Sequence, residues 1–213
     1  MRGRGSNARA TPTTTYRSAS RRITSHGVTL LKIRLSAGAG SGPTKLAAFD
    51  TALRRAGVAN YNLIRLSSII PPGTCITVSD SPWRHDGGEW GDRLYLVYAE
   101  MRVDEPGKQA WAGVGWSQDG ETGRGLFVEH AGHSEQDVRE DIRESLEAMV
   151  REREEEFGLI HMRVVGIDCE DQPVCAFVAA VYRSEPWTPH CLSRSSVSAW
   201  MTGSTPPSVD SAS

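Results

Sequence analysis

The sequence predicts an α+β fold, with helices packed on antiparallel sheet. Three observations support this. Two stretches repeat apolar residues at helical spacing, near 43–56 and 134–157. Several others alternate, or run apolar, at strand length. The strands come in groups joined by turn residues instead of alternating singly with helices, as a parallel sheet would require.

In chain order, Val28-Thr-Leu-Leu-Lys-Ile-Arg-Leu35 is the first predicted strand, with Lys32 and Arg34 on one face. Ser36-Ala-Gly38-Ala-Gly40-Ser-Gly42-Pro43 follows, as glycine-rich as a phosphate loop. No Gly-Lys-Ser/Thr follows it and the full G-x-G-x-x-G is missing, so it is read as flexible backbone ahead of a helix. That helix spans 43–56, with Leu46, Phe49, Leu53 and Ala56 as its buried stripe and Gly57 as its stop. Asp50 lies four residues after Leu46 and three before Leu53, at the edge of the stripe. There its carboxylate could serve a neighbouring backbone group, an arginine or a ligand.

Asn62-Leu-Ile-Arg-Leu-Ser67-Ser68-Ile-Ile-Pro71-Pro72 sets two adjacent serines inside an apolar, strand-like run that the paired prolines end. A hydroxyl buried there needs a partner. The Trp-, Gly- and Asp-rich stretch 82–92 is read as a surface loop. Strands are then predicted at 93–103, 110–117 and 125–130, separated by Asp104-Glu-Pro-Gly107 and Asp119-Gly120. Ser134 caps the second helix, Glu135 and Asp137 suit its first turn, and Val138, Ile142, Leu146 and Met149 face the core. Gly158 is its expected end, and strands at 160–168 and 174–182 close the domain.

Composition narrows the partners. No apolar run approaches the ~20 residues of a membrane helix. The cysteines, Cys75, Cys169, Cys175 and Cys191, are scattered and form no C-x-x-C, which argues against structural zinc and for reduced thiols in a cytosol. Residues 1–22 hold six arginines and no acid, so the net charge of -2 leaves -8 on the remainder. An acidic body suits a cationic small molecule better than nucleic acid. The arm 1–22 reads as disordered; a transit peptide, a basic nucleic-acid contact and an over-extended start remain alternatives. The Ser-, Pro- and Thr-rich tail 184–213 also reads as disordered, leaving one domain at 23–183.

The block from Asn62 to Pro72 resembles the pyruvoyl-dependent arginine decarboxylases. Three further pieces stand in the same order: Ala48-Phe49-Asp50-Thr-Ala52-Leu53 with Gly57 and Asn60, then Gly125-Leu-Phe-Val-Glu129, then Cys175-Ala-Phe-Val-Ala-Ala-Val181. The resemblance covers about Thr29 to Tyr182. It implies a four-layer α/β/β/α sandwich that assembles as a trimer, or a dimer of trimers, with active sites between subunits.

It also implies a proenzyme that cleaves itself between 67 and 68, into a β chain 1–67 and an α chain 68–213. The Ser68 hydroxyl would attack the Ser67 carbonyl. β-Elimination from the resulting ester, then hydrolysis, would leave a pyruvoyl group in place of Ser68. Only the second serine carries the β-oxygen that both attacks and leaves, and serine needs activation to do so. Asn62 matches the asparagine that assists this cleavage, its amide able to hold the developing oxyanion; by itself it would read as a turn residue.

The resemblance further implies that the pyruvoyl ketone would replace pyridoxal phosphate as electron sink while carbon dioxide leaves. Glu129 matches the proton donor. At the end of an apolar strand its carboxyl would be partly desolvated, which suits an acid working near neutral pH. Asp50 matches the guanidinium-binding aspartate, able to make two parallel hydrogen bonds. No metal is implied, and His130 and His133 beside Glu129 are too weak a pattern to suggest one. Lys45, Ala47, the arm, the loop 82–92 and the tail are this chain's departures. The implied activity is decarboxylation of L-arginine to agmatine in the cytoplasm. Another amino acid as substrate, or an unprocessed assembly partner, are the alternatives.

Overall fold

The computed structural model describes residues 31–79, 82–83, 88–153 and 156–187. The arm 1–22, the start of the first strand and the tail from 188 onward lie outside the described residues. Nine strands and two helices follow one another among the described residues: β1 Leu31–Ser41, α1 Lys45–Ala56, β2 Asn62–Arg65, β3 Ile69–Ile70, β4 Thr74–Val78, β5 Arg93–Val103, β6 Gln109–Gln118, β7 Gly125–Gly132, α2 Glu135–Arg151, β8 His161–Asp168 and β9 Val174–Glu185.

Two sheets face each other. The first has the order β2-β5-β9-β1-β4, the second β3-β7-β6-β8. Ile33, Leu35, Val97, Val114 and Phe127 fill the space between them. The outer face of the first sheet is covered by α1 through Ala52, Leu53 and Ala56 against Leu96 and Phe177. The outer face of the second is covered by α2 through Val138, Ile142 and Leu146. The layers therefore run α/β/β/α. The first sheet is mixed, not purely antiparallel, because β4 runs parallel to β1 and β2 parallel to β5. Strand β9 is buried on both faces from Val174 to Val181, since it lies centrally in a covered sheet.

Several local expectations change. The stretch Ser36–Ser41 is strand, paired with β9 along its whole length. Its glycines, and Gly42 just after it, serve close packing, not flexibility. A Cβ on Gly38 would lie 2.7 Å from the Ala56 nitrogen, and one on Gly42 would lie 2.8 Å from the Ala48 nitrogen. The helix can approach the sheet because those side chains are missing. Thr44 caps α1, its Oγ1 accepting from the Ala47 N–H at 3.1 Å, and Gly57 ends it in the left-handed region at φ 85°.

The buried stripe of α1 is Ala48, Ala52, Leu53 and Ala56, while Leu46 is 68% exposed. Small residues belong on the face that meets glycines, so the larger Leu46 turns outward. Helix α2 stops at Arg151, short of Gly158, whose N–H instead donates to the Gln118 carbonyl. Trp83 is core, not surface: it is buried against α1 and edge-on to Tyr61. Gly38→Ala should therefore lower stability by about 1–3 kcal/mol, the usual cost of overpacking. Chemical denaturation should show an earlier midpoint at unchanged slope.

Candidate active site

The chain leaves one sheet and enters the other between Leu66 and Ser68. The Leu66 N–H donates to the Leu96 carbonyl at 2.9 Å, the last bond on the first sheet. The Phe127 N–H donates to the Ser68 carbonyl at 2.8 Å, the first bond on the second. The Ser67–Ser68 peptide thus lies in the crossing. Ser67 is exposed and Ser68 half-buried. Ser68 has φ 64°, the only positive value outside glycine among the described residues. An L-residue held there costs roughly 1–2 kcal/mol, and such strain concentrates at working sites.

That backbone turn aims the Ser68 hydroxyl at Glu129, where Oγ donates to Oε1 at 2.6 Å. Glu129 belongs to β7, and the alternation that buries Phe127 between the sheets sends the Glu129 side chain the same way. Its side chain is 10% exposed. The other carboxylate oxygen faces Arg65 Nη2 at 3.5 Å, and the Arg65 guanidinium lies 5.1 Å from the centre of the Tyr98 ring. One carboxylate therefore holds a serine hydroxyl on one side and a cation on the other.

Tyr182, which sequence reasoning did not single out, completes the surround. Its hydroxyl donates to the Ile69 carbonyl at 2.8 Å, and its ring meets Phe127 edge-on at 6.2 Å. Burial, and after it the negative charge of Glu129, push the phenol above its ordinary pKa. It stays neutral and donating. The available signal was an aromatic residue with a polar tip at the end of an otherwise apolar strand.

Other expected site residues stand apart. Asn62 begins β2, and its side-chain amide donates to the Gly91 carbonyl instead of reaching toward Ser68. Asp50 is exposed on α1 and pairs with Arg54 at 3.1 Å. It lies beyond the outer face of the first sheet, while Glu129 lies in the second sheet. Lys45 is engaged with Asp104 at 2.9 Å, away from Asp50. His130 Nε2 meets Ser145 Oγ and His133 Nδ1 meets the Gln109 carbonyl, so the two rings have separate partners. Cys175 is buried, its thiol pushed up to about 12 by burial first and Glu100 second, so it is packing and not a nucleophile.

Residues 32–185 match the family model described as pyruvoyl-dependent arginine decarboxylase. The chain belongs to this family. Proteins named pyruvoyl-dependent arginine decarboxylase are similar over most of their length: that of Halobacterium salinarum is 36% identical, covering 73% of this chain and 96% of its own. The one from Thermococcus kodakarensis is 35% identical, covering 69% and 91%. A solved pyruvoyl-dependent histidine decarboxylase aligns over 67% of this chain and 63% of its own, at TM-score 0.38 and 15% identity.

The residues present fit the family's prosthetic group. Ser68 is half-buried, its β-oxygen is held by a carboxylate, and its carbonyl is fixed by the Phe127 N–H. The strain at residue 68 can be read without the hydroxyl. Ser68→Gly should be more stable than Ser68→Ala by up to about 1 kcal/mol, because only glycine adopts a positive φ freely. Denaturant midpoints of the two variants provide the comparison, and a more stable alanine variant would contradict it.

Proposed function

We propose that this chain cuts its own backbone between Ser67 and Ser68 and then decarboxylates L-arginine to agmatine and carbon dioxide. The observation that carries the proposal is the Ser68–Glu129 contact at 2.6 Å, made at a left-handed serine in the crossing between sheets. Glu129 orients the attacking hydroxyl, while the carbonyl carbon of Ser67, an exposed residue, is the electrophile next door. Asn62 is assigned to the oxyanion of that step. Its amide must first leave the Gly91 carbonyl or act across a subunit boundary.

A ketone at residue 68 supplies an electron sink for the bond to the departing carboxylate. The chain's own residues do the rest. Glu129 is assigned to return a proton to the substrate carbon, a role that its near burial and its contact with Ser68 support. General acids of this kind contribute roughly 10²–10⁴-fold. Arg65 faces the far oxygen of Glu129 at 3.5 Å and supplies a positive charge beside it.

Asp50 is assigned to the guanidinium. Its place beyond the outer face of the first sheet supports a site completed by a neighbouring subunit, as in a homotrimer or a dimer of trimers. Charge-assisted hydrogen bonds from a carboxylate contribute roughly 1.5–3 kcal/mol each, enough to separate arginine from neutral amino acids. The partner is a small cationic substrate; nucleic acid and membrane do not enter this reading. No helix among the described residues is long and apolar enough to cross a membrane. The free thiols Cys75, Cys169 and Cys175 suit a reducing cytoplasm.

Three variants test the assignment by denaturing electrophoresis and carbon dioxide release from single amino acids. Ser68→Ala should remain one chain and be inactive, because no β-oxygen remains; two fragments from it would refute Ser68 as nucleophile. Glu129→Gln should still cleave, since an amide oxygen can accept the Ser68 bond, but should turn over about 10²–10⁴-fold more slowly. Asp50→Ala should cleave normally and raise KM for arginine about tenfold or more, the loss of at least one charge-assisted bond. An unchanged KM would remove Asp50 from the pocket.

A further inference from the structure

Strand β3 contains only Ile69 and Ile70, which pair with Leu126 and Gly125. Until the backbone is cut, this strand is tethered on both sides. After a cut between 67 and 68, it becomes a chain end, and chain ends fray unless something ties them down. A two-residue ladder is a weak tie. The Tyr182 hydroxyl provides a second, donating to the Ile69 carbonyl at 2.8 Å from a strand of the other sheet.

The two ties share one support. The Tyr182 ring rests edge-on against Phe127, and the Phe127 N–H holds the Ser68 carbonyl. Two successive carbonyls, those of Ser68 and Ile69, are thus fixed from the same place. Glu129 is two residues beyond Phe127 on the same face of β7, so any slack in this end changes its separation from that carboxylate. Small errors of placement at a reacting centre are costly.

We propose that Tyr182 is a positioning residue for the decarboxylation, anchoring the new chain end at residue 68 against Glu129 once the backbone has been cut. The inference rests on the self-cleaving reading above. Burial and the nearby Glu129 charge keep the phenol protonated, so the anchor does not switch off in the neutral range.

Tyr182→Phe tests it, because the ring and its contact with Phe127 remain and only the hydroxyl is lost. The full mature protein is compared with the wild type by hydrogen–deuterium exchange, thermal melting and kinetics on L-arginine. Expected are complete cleavage, a Tm lowered by no more than a few degrees, and exchange at residues 69 and 70 faster by roughly two- to tenfold, the changes one hydrogen bond of ordinary net strength supports. kcat should fall by a similar factor at unchanged KM. Equal exchange at residues 69 and 70 would overturn the proposal. So would a variant that stays uncut, which places the role before cleavage, or exchange raised by more at the core strands than at residues 69 and 70, which makes Tyr182 a general packing residue. A wild-type chain that never cleaves defeats the decarboxylase reading and this inference together; a cleaved wild type with an unaltered variant defeats this one alone.

Discussion

The chain must pass from one sheet to the other within three residues, and the structure depends on how it does so. Leu66 is still bonded to the first sheet and Ser68 is already bonded to the second. So short a crossing between stacked layers requires a sharp turn, and Ser68 supplies it at φ 64°. Glycine would do this without cost. A serine there keeps a hydroxyl at the turn and accepts the backbone penalty, and that hydroxyl is the group the proposed self-cleavage needs.

The surrounding layers make that turn obligatory. The inter-sheet core fixes Phe127 and Ile70, so both ends of the crossing are held by buried side chains. The helices clamp the outer faces, α1 lying unusually close because Gly38 and Gly42 have no side chains to hold it off. Strain at one residue persists only when neighbours over-determine it. Here the neighbours are two strand ladders, a T-shaped aromatic pair and a hydroxyl–carboxylate bond.

Much of this was legible in the sequence, where periodicity carried information. The strands of the meander and the start of α2 fall where alternation and Ser134 put them. The ordered motifs around Ser68, Glu129 and Asp50 identified the family. What could not be read is tertiary. The glycines at 38–42 look like a loop because their use, letting a helix approach, appears only when the helix is docked. Leu46 fits the helical stripe by spacing, yet the small-residue face of α1 takes the sheet instead. Strand β4 is short and pairs in parallel with a strand far back in the chain, so no local pattern announced it. At the site, the Ser68–Glu129 meeting joins residues 61 apart, and the Tyr182–Ile69 bond joins residues 113 apart. Only the fold could place those side chains together, and it leaves Asn62 and Asp50 directed elsewhere within this chain.

The central claim is chemical: the bond ahead of residue 68 breaks and the new end becomes a ketone. Intact-mass spectrometry of the purified wild-type protein tests this most directly. The account predicts two chains, with the fragment 68–213 lighter than its encoded sequence by the mass of one ammonia. A single chain of full encoded mass, or a fragment that begins with an unmodified serine amine, would contradict it.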